Sequence, residues 1–323
     1  GYGIDYMQKF CSIADKEGLI DAVNVTGGWH EAPVPQISYQ LPAGGFAYLA
    51  DSIKRVVNVP VIACNRINNI ETMEHILENG MADFVGTARG FLADPCFAEK
   101  VLTGTPYNRC QGCNKCIEAV LKGRPVVCAY NPEVGHEAEE KTHRKVVSAK
   151  VVLVVGAGPS GLEAAKKSAE RGYKTILCTE EQCLGGMLNT AALPPHKQDL
   201  MKFIENKKYE LENLGVDIRY GTKVDGEFIS ELKPYFVVEA FGGKAFVPNI
   251  KGIDKDNVYM ALDVLKGGAD MIAKLKKHGH NRRRNRRNRN RPVHSRKALR
   301  HRRIKVIQQY VYRKGHTRIG HSR

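Results

Sequence analysis

The stretch KVVLVVGAGPSGLEAAKKSAERGYKTILCTE, Lys150 to Glu180, decides the predicted fold of the second half of this chain. An apolar run is followed by a G-x-G-x-x-G turn, a run with helical spacing of apolar residues, and a second apolar run. This order predicts a strand, a tight turn, a helix and a second strand. The turn glycines, Gly156, Gly158 and Gly161, would let the backbone approach a pyrophosphate that rests on the helix N-terminus. The stretch therefore predicts a Rossmann-like dinucleotide-binding unit.

An acidic residue is expected where the second strand of such a unit ends, because its carboxylate binds the ribose of the dinucleotide. Glu180 and Glu181 both stand at this point. We take Glu180 as the candidate and leave Glu181 open.

The first half alternates short apolar runs with helical patterns. The predicted strands are AVNVTGG (22–28), VPVIACN (59–65) and ADFVGTARG (82–90), and helices are predicted within residues 43–57 and 71–80. Repeated β-α units with apolar strands imply a parallel sheet covered by helices, as in a TIM barrel. The loops after the last two barrel strands commonly bind a phosphate. Here these loops carry Arg66 and Arg89, which makes phosphate binding the favoured interpretation over solvated surface charges.

A run of closely spaced cysteines follows the predicted strands. Cys110, Cys113 and Cys116 form a C-x2-C-x2-C pattern, and Cys128 stands twelve residues further on. Such spacing suits tetrahedral zinc or an iron-sulfur cluster, because the short gaps turn the backbone around one centre and a distant ligand closes it. Zinc ribbons usually have two separated C-x2-C pairs. The pattern therefore favours a cluster, and zinc stays the alternative.

The charge of the chain is unevenly distributed. The formal net charge is +16, yet His278 to Arg323 holds 17 of the 50 basic residues and none of the 34 acidic ones. The basic tract could be an RNA-binding arm. Reading its codons one nucleotide later can instead yield a strand, a second G-x-G-x-x-G and a helix. We interpret residues 278–323 as a frameshift product, which DNA sequence across codon 278 tests.

No apolar run approaches the length of a membrane span, and no signal peptide opens the chain. The sequence predicts a cytoplasmic protein. Nine cysteines in that compartment indicate metal binding or catalysis rather than disulfides.

Four motifs carry a family resemblance. GGWHEAPVPQI (27–37), VPVIACNRINN (59–69), ADFVGTARGFLADP (82–95) and the cysteine run followed by YNPEVGHE resemble the old yellow enzyme superfamily. The resemblance is to its iron-sulfur branch, which includes 2,4-dienoyl-CoA reductase, enoate reductase, bile-acid-inducible NADH:flavin oxidoreductases and trimethylamine dehydrogenase. It implies FMN, FAD, a 4Fe-4S cluster and NAD(P)H as cofactors.

The resemblance also implies site residues. It makes Arg66, Ala88 and Arg89 contacts of the FMN phosphate, and it makes His30 the group that helps protonate or stabilise the reduced substrate. LGGML resembles the continuation of the FAD domain and adds Gly186 to the cofactor-binding glycines. The implied cluster ligands are Cys110, Cys113, Cys116 and Cys128.

The implied activity is electron transfer from NAD(P)H through FAD and the cluster to FMN, which reduces the C=C bond of an enoate or enoyl-CoA. The implied partners are NAD(P)H and a small unsaturated acid or acyl-CoA. The resemblance implies no binding to nucleic acid or to a membrane, and it is compatible with a homo-oligomer. The gap between Cys113 and Cys116 is nearer to the trimethylamine dehydrogenase pattern, so amine oxidation with reversed flow is an alternative. The second alternative is a nucleic-acid-binding protein with a zinc site and a basic C-terminal arm.

The predicted fold class is α/β, with four segments. Residues 1–108 are expected to form the C-terminal part of an FMN-binding TIM barrel, about strands six to eight, and residues 109–145 the cluster segment and linker. Residues 146–277 are expected to form an incomplete FAD- or ADP-binding Rossmann-like domain, and residues 278–323 the aberrant tail. We expect this chain to be an internal fragment that is inactive alone.

Overall fold

A computed structural model describes residues 3–28, 32, 39, 41–140, 145–146, 149–243, 245–255, 258–268, 270 and 305–307. The chain divides into two compact units. The first comprises Gly1–Val147 and Asp199–Asn213, and the second comprises Ser148–Gln198 and Leu214–Arg323. Apart from residues 305–307, the predicted frameshifted tail lies outside the described residues.

The helices and strands are short and alternate along most of the chain. The helices are α1 (Ile4–Lys16), α2 (Ala47–Lys54), α3 (Ile70–Glu78), α4 (Ala88–Ala93), α5 (Phe97–Thr103), α6 (Lys115–Leu121), α7 (Glu137–Glu140), α8 (Pro159–Glu170), α9 (Met187–Ala191), α10 (Asp199–Asn213), α11 (Gly226–Leu232) and α12 (Ala261–Lys266). The strands are β1 (Val23–Val25), β2 (Val61–Ala63), β3 (Phe84–Val85), β4 (Val151–Val155), β5 (Lys174–Cys178), β6 (Asp217–Arg219), β7 (Phe236–Glu239), β8 (Val258–Met260) and β9 (Lys305–Ile307).

The first unit is built on a parallel sheet in the order β1-β2-β3. Val61 and Ala63 of β2 are fully buried, and they pack with Ala50 and Ile53 of α2 and Ile76 of α3. This is the arrangement expected of β-α units whose helices cover one face of a parallel sheet. The carboxyl ends of β2 and β3 therefore lie at the same edge.

The predicted third strand is shorter than the sequence pattern indicates. Pairing with β2 ends at Val85, and the chain turns through Gly86 and Thr87 into α4, which begins at Ala88. A Cβ atom on Gly86 would lie 2.7 Å from the sulfur of Cys64, so only glycine fits there without displacing a neighbour. The phosphate-loop residues predicted on this segment thus start a helix.

The second unit contains a parallel sheet in the order β6-β5-β4-β7. The three central residues of β4 are buried, as are the last four of β5, because α8 and α11 contribute to the covering of this sheet. A separate parallel pair joins β8 to β9. The predicted α/β class with parallel sheets is confirmed.

No helix within the described ranges has the length and apolar character needed to cross a membrane.

Helix α10 belongs to the first unit, although its sequence lies within the predicted FAD module. Its buried face is polar as well as apolar. The amide of Asn206 is fully buried and donates to Asn108 Oδ1 at 2.9 Å. Lys207 is 1% exposed, and its Nζ lies 3.0 Å from Glu210 Oε2. Lys100 Nζ lies 3.7 Å from Glu210 Oε1.

Replacement of Glu210 by Ala tests this network. Lys207 would lose this carboxylate while it stays buried, and removal of one partner of a buried ion pair costs roughly 3–5 kcal/mol of the free energy of unfolding. The measurement is the urea midpoint of the purified chain. Glu212 is the control, because its pair with Lys208 is more than half exposed at both ends and such pairs contribute about 1 kcal/mol at most. Equal midpoints for Glu210→Ala and Glu212→Ala would contradict a stabilising role.

Candidate functional site

The four cysteines of the C-x2-C-x2-C run and its distant fourth member surround one cavity. Cys110, Cys113, Cys116 and Cys128 all line it, together with residues that include Arg89, Asn114 and Tyr130. The cavity itself is small, with a volume of about 20 Å³. The structure therefore brings together all four predicted cluster ligands.

Left-handed backbone turns and two side-chain contacts shape the cysteine loop. Gly112 has a φ of 63° and Asn114 a φ of 60°, and α6 begins directly after Asn114. Asn68 Nδ2 donates to the carbonyl oxygen of Cys110 at 2.6 Å, and Arg89 Nη1 donates to Asn114 Oδ1 at 2.9 Å. Residues that follow β2 and β3 thus hold the cysteine loop from one side.

The surroundings of the thiols act on their pKa values in opposite directions. Burial raises the pKa of Cys110, while the amide of Gly112 and the guanidinium groups of Arg89 and Arg66 lower it. Burial also raises the pKa of Cys128, which backbone N–H groups lower. Burial prevails, so the pKa of both thiols is raised overall. Metal ligation requires the thiolate form, which the N–H groups and guanidinium charges favour and burial opposes.

The thiols are spread around the cavity rather than clustered at a point. Among the described side chains, no three from His, Cys, Asp and Glu lie close enough to hold a single metal ion. The donor set of the cavity is four sulfurs, which is the set that iron-sulfur clusters use.

Arg66 follows β2 in a strained conformation. Its φ is 54° and that of Asn65 is 78°, in the region that non-glycine residues seldom adopt. Its Nε donates to Leu41 O at 3.0 Å. Within the described part of the chain, its Nη1 is buried and makes no hydrogen bond. Burial lowers the pKa of Arg66, the charges of Cys110 and Asp199 raise it, and the nearby charge of Arg89 lowers it.

This arrangement fits an anionic group beside the strand ends. An orphaned buried guanidinium N–H is costly and is relieved by an acceptor such as phosphate. Ala88, the other predicted phosphate contact, is the first residue of α4, where backbone N–H groups have no helical partner. His30, the predicted catalytic residue, lies outside the described residues.

The three glycines of the turn in the second unit differ in whether protein packing leaves room for a side chain. A Cβ atom on Gly161 would overlap the carbonyl oxygen of Gly156, and one on Gly156, whose φ is 105°, would overlap that of Ala240. By contrast, a Cβ atom on Gly158 would meet no atom within 4 Å. Glycine at 158 is therefore not required by protein packing, and it leaves free the space that a pyrophosphate would approach.

The remaining predicted contacts lie around this turn. A Cβ atom on Gly186 would lie 3.2 Å from Gly158 Cα, so the two glycine segments are in direct contact. Glu180 and Glu181 are both exposed just after β5. The amide of Glu181 donates to Thr179 Oγ1 at 3.2 Å and its carbonyl accepts from Gly221, so the backbone at Glu181 takes part in the loop. Glu180 stays the predicted ribose contact.

The strand-end region of the first unit and the glycine-turn region of the second unit each match a known protein family. Residues 14–108 match the NADH:flavin oxidoreductase / NADH oxidase family, and residues 152–233 match the FAD dependent oxidoreductases. A metal reductase of Desulforamulus reducens is 42% identical over 267 residues, which make up 80% of this chain and 40% of that protein. This chain belongs to the iron-sulfur branch of the old yellow enzyme superfamily.

Two further members are similar over the same span. An NADH oxidase of Thermoanaerobacter brockii is 36% identical, covering 78% of this chain and 40% of that protein. A structure of 2-naphthoyl-CoA reductase with 2-naphthoyl-CoA is 29% identical with a TM-score of 0.77, covering 83% of this chain and 41% of that one. The chain spans about two fifths of the length of these relatives. Membership supports the predicted FMN, FAD, 4Fe-4S cluster and NAD(P)H.

Sequence reasoning missed several residues of this old yellow enzyme relative. Asn68 and Asn114 hold the cysteine loop, and Tyr130 lines the cavity and packs edge-to-face on Phe203 of α10 at 5.2 Å between ring centroids. Asn68 lies in a quoted motif and Asn114 lies between two cysteines, so position could have suggested them. Nothing in the sequence near Phe203 indicates a contact with the cysteine segment.

The glycine turn of this flavoprotein yields a paired prediction. Gly161→Ala forces a methyl group into the Gly156 carbonyl and should lower the free energy of unfolding by about 1–3 kcal/mol. Gly158→Ser should fold normally, because Ser is a favoured residue at a helix N-cap and the space is open. Its side chain should instead reduce FAD binding. Flavin retained per chain after desalting, together with thermal denaturation, separates the two effects, and full FAD retention by Gly158→Ser would count against the assignment.

Proposed function

We propose that the whole protein containing this chain is a flavin- and iron-sulfur-dependent oxidoreductase that uses NAD(P)H to reduce the C=C bond of an enoate or enoyl-CoA. The observation that carries the proposal is the cavity lined by four thiols beside two arginines at the ends of β2 and β3. When bound, FAD, the 4Fe-4S cluster and FMN supply a path by which electrons from NAD(P)H reach the substrate.

The proposed role of the cysteine segment is to bind the cluster through Cys110, Cys113, Cys116 and Cys128. Three closely spaced cysteines followed by a distant fourth suit a cluster better than zinc ribbons, which usually have two separated C-x2-C pairs, and the iron-sulfur relatives support the same choice. Asn68 and Arg89 would hold the loop in the liganding conformation through their hydrogen bonds.

The proposed role of the strand ends is to bind FMN through its phosphate. Arg66 offers a buried guanidinium N–H, and Ala88 and Arg89 offer the start of α4. We keep the interpretation of residues 1–108 as the C-terminal part of a TIM barrel, with residues 109–145 as the cluster segment. The order β1-β2-β3 and the family of the relatives support it.

The proposed role of residues 146–277 is to bind FAD, with Gly156, Gly158, Gly161 and Gly186 at the pyrophosphate and Glu180 at the ribose. His30 is proposed to donate or hold the proton that the reduced substrate requires, because an imidazole titrates near neutral pH. His30 lies five residues after Val25, the last residue of β1, and chemistry on a parallel barrel takes place at the carboxyl ends of its strands.

Reduction is favoured over amine oxidation by the similarity to 2-naphthoyl-CoA reductase, whose structure contains 2-naphthoyl-CoA, and to a cinnamate reductase. The two-residue gap between Cys113 and Cys116 is the observation that keeps amine oxidation as the second candidate.

The test uses the whole protein, expressed and assayed without oxygen. Substrate-dependent NADH oxidation with a panel of enoates and enoyl-CoA thioesters should be lost by at least tenfold in Cys128→Ser. The same variant, reduced chemically with dithionite, should still reduce the substrate, because the cluster is needed only to deliver electrons.

The control is Cys183→Ser. Cys183 is an exposed cysteine outside the cavity, so this variant should behave as the unmodified protein. Normal NADH-driven turnover by Cys128→Ser would contradict the proposed path, and oxidation of secondary or tertiary amines without alkene reduction would favour the alternative.

A further inference from the structure

The guanidinium groups of Arg66 and Arg89 lie against the cysteine loop as well as at the strand ends. Arg89 lines the four-thiol cavity and donates from Nη1 to Asn114, which lies between Cys113 and Cys116. Arg66 approaches the same loop, because a Cβ atom on Gly112 would lie 2.7 Å from its Nη1. Both arginines therefore reach the C-x2-C-x2-C turn from the carboxyl ends of adjacent strands.

The charged groups at this point include the two guanidinium groups and the thiols that line the cavity. The hydrogen bonds of the Arg66 side chain go to the backbone carbonyl oxygens of Leu41 and Tyr39, which bring no compensating charge. Asp199 at the start of α10 acts on Arg66 electrostatically, and Glu71 is engaged by Arg109 at 2.7 Å. The thiols lining the cavity are thus close anionic partners for the two guanidinium groups once they are ionised as metal ligands.

Phosphate binding alone does not account for this geometry. An arginine that served only a phosphate would need no contact with the turn between Cys113 and Cys116. The hydrogen bond from Arg89 to Asn114 holds the guanidinium group at the cavity, where its charge acts over a short distance through a partly buried, low-dielectric medium.

We propose that Arg89, with Arg66 beside it, is an electrostatic positioning residue of the iron-sulfur cluster. Arg89 holds the turn between Cys113 and Cys116 through Asn114. Its charge stabilises the cluster in the state that carries one more electron, which raises the reduction potential. Charge and hydrogen bonding near the sulfurs are the means by which proteins set such potentials. The inference rests on the proposed function, since it requires that the four cysteines bind a cluster.

The experiment is an anaerobic redox titration of the 323-residue chain, followed by electron paramagnetic resonance of the reduced cluster. Arg89→Gln removes the charge and should shift the ratio of reduced to oxidised cluster about tenfold toward the oxidised form at a given potential. For a one-electron couple this is a midpoint lower by about 59 mV. Arg89→Lys keeps the charge and should retain most of the original midpoint.

Arg124→Gln is the matched control. Arg124 lies in the same cysteine segment, between Cys116 and Cys128, but it is exposed to solvent. The same loss of charge at this position should leave the midpoint nearly unchanged, because solvent screens it. A midpoint for Arg89→Gln equal to those of Arg124→Gln and the unmodified chain would overturn the inference.

Two further outcomes are distinguishable. If Arg89→Gln retains no iron, the cluster midpoint of Asn114→Gly is measured instead. Glycine suits the left-handed backbone at this position, so this variant loses only the acceptor of the Arg89 hydrogen bond. A lowered midpoint then supports the inference, and an unchanged one overturns it. An unmodified chain without iron and sulfide would overturn the proposed function itself, whereas a cluster with an arginine-independent midpoint would overturn only the inference.

Discussion

The contact between the carboxyl ends of β2 and β3 and the cysteine loop is the constraint on which the rest of the first unit depends. Parallel pairing brings Arg66 and Arg89 to the same edge of the sheet. Asn68 and Arg89 then hold the backbone and the turn of the cysteine segment. Because these strand ends contact the cysteine loop and are also proposed to bind a phosphate, a change at this edge is expected to affect two cofactors at once.

The buried polar residues of α10 also hold the cysteine segment. A helix that contributes a fully buried Asn206 and a nearly buried Lys207 is specified by its partners, since each polar group would be costly without them. Asn108 accepts from Asn206 two residues before Cys110. The buried network and the ring contact between Tyr130 and Phe203 therefore fix both ends of the cysteine segment against one helix.

Much of this organisation could be predicted from local sequence, and the remainder depends on long-range contacts. The glycine turn at Gly156–Gly161 was predictable because its strand, turn and helix are consecutive in sequence, although the close approach of Ala240 to Gly156 was not. The short β3 was not, since its length depends on pairing with β2, whose residues lie about 20 positions earlier in the chain. The convergence of the four cysteines followed from spacing, whereas the contacts of Asn206 with Asn108 and of Phe203 with Tyr130 join residues about 70 to 100 positions apart along the chain.

The measurement that most directly tests the central claim is the iron and acid-labile sulfide content of the anaerobically purified chain, together with its visible spectrum. The claim that four cysteines bind one cluster predicts about four irons and four sulfides per chain and broad charge-transfer absorption, both lost when Cys128 is replaced by Ser. Stoichiometric zinc, without sulfide and without colour, would contradict it.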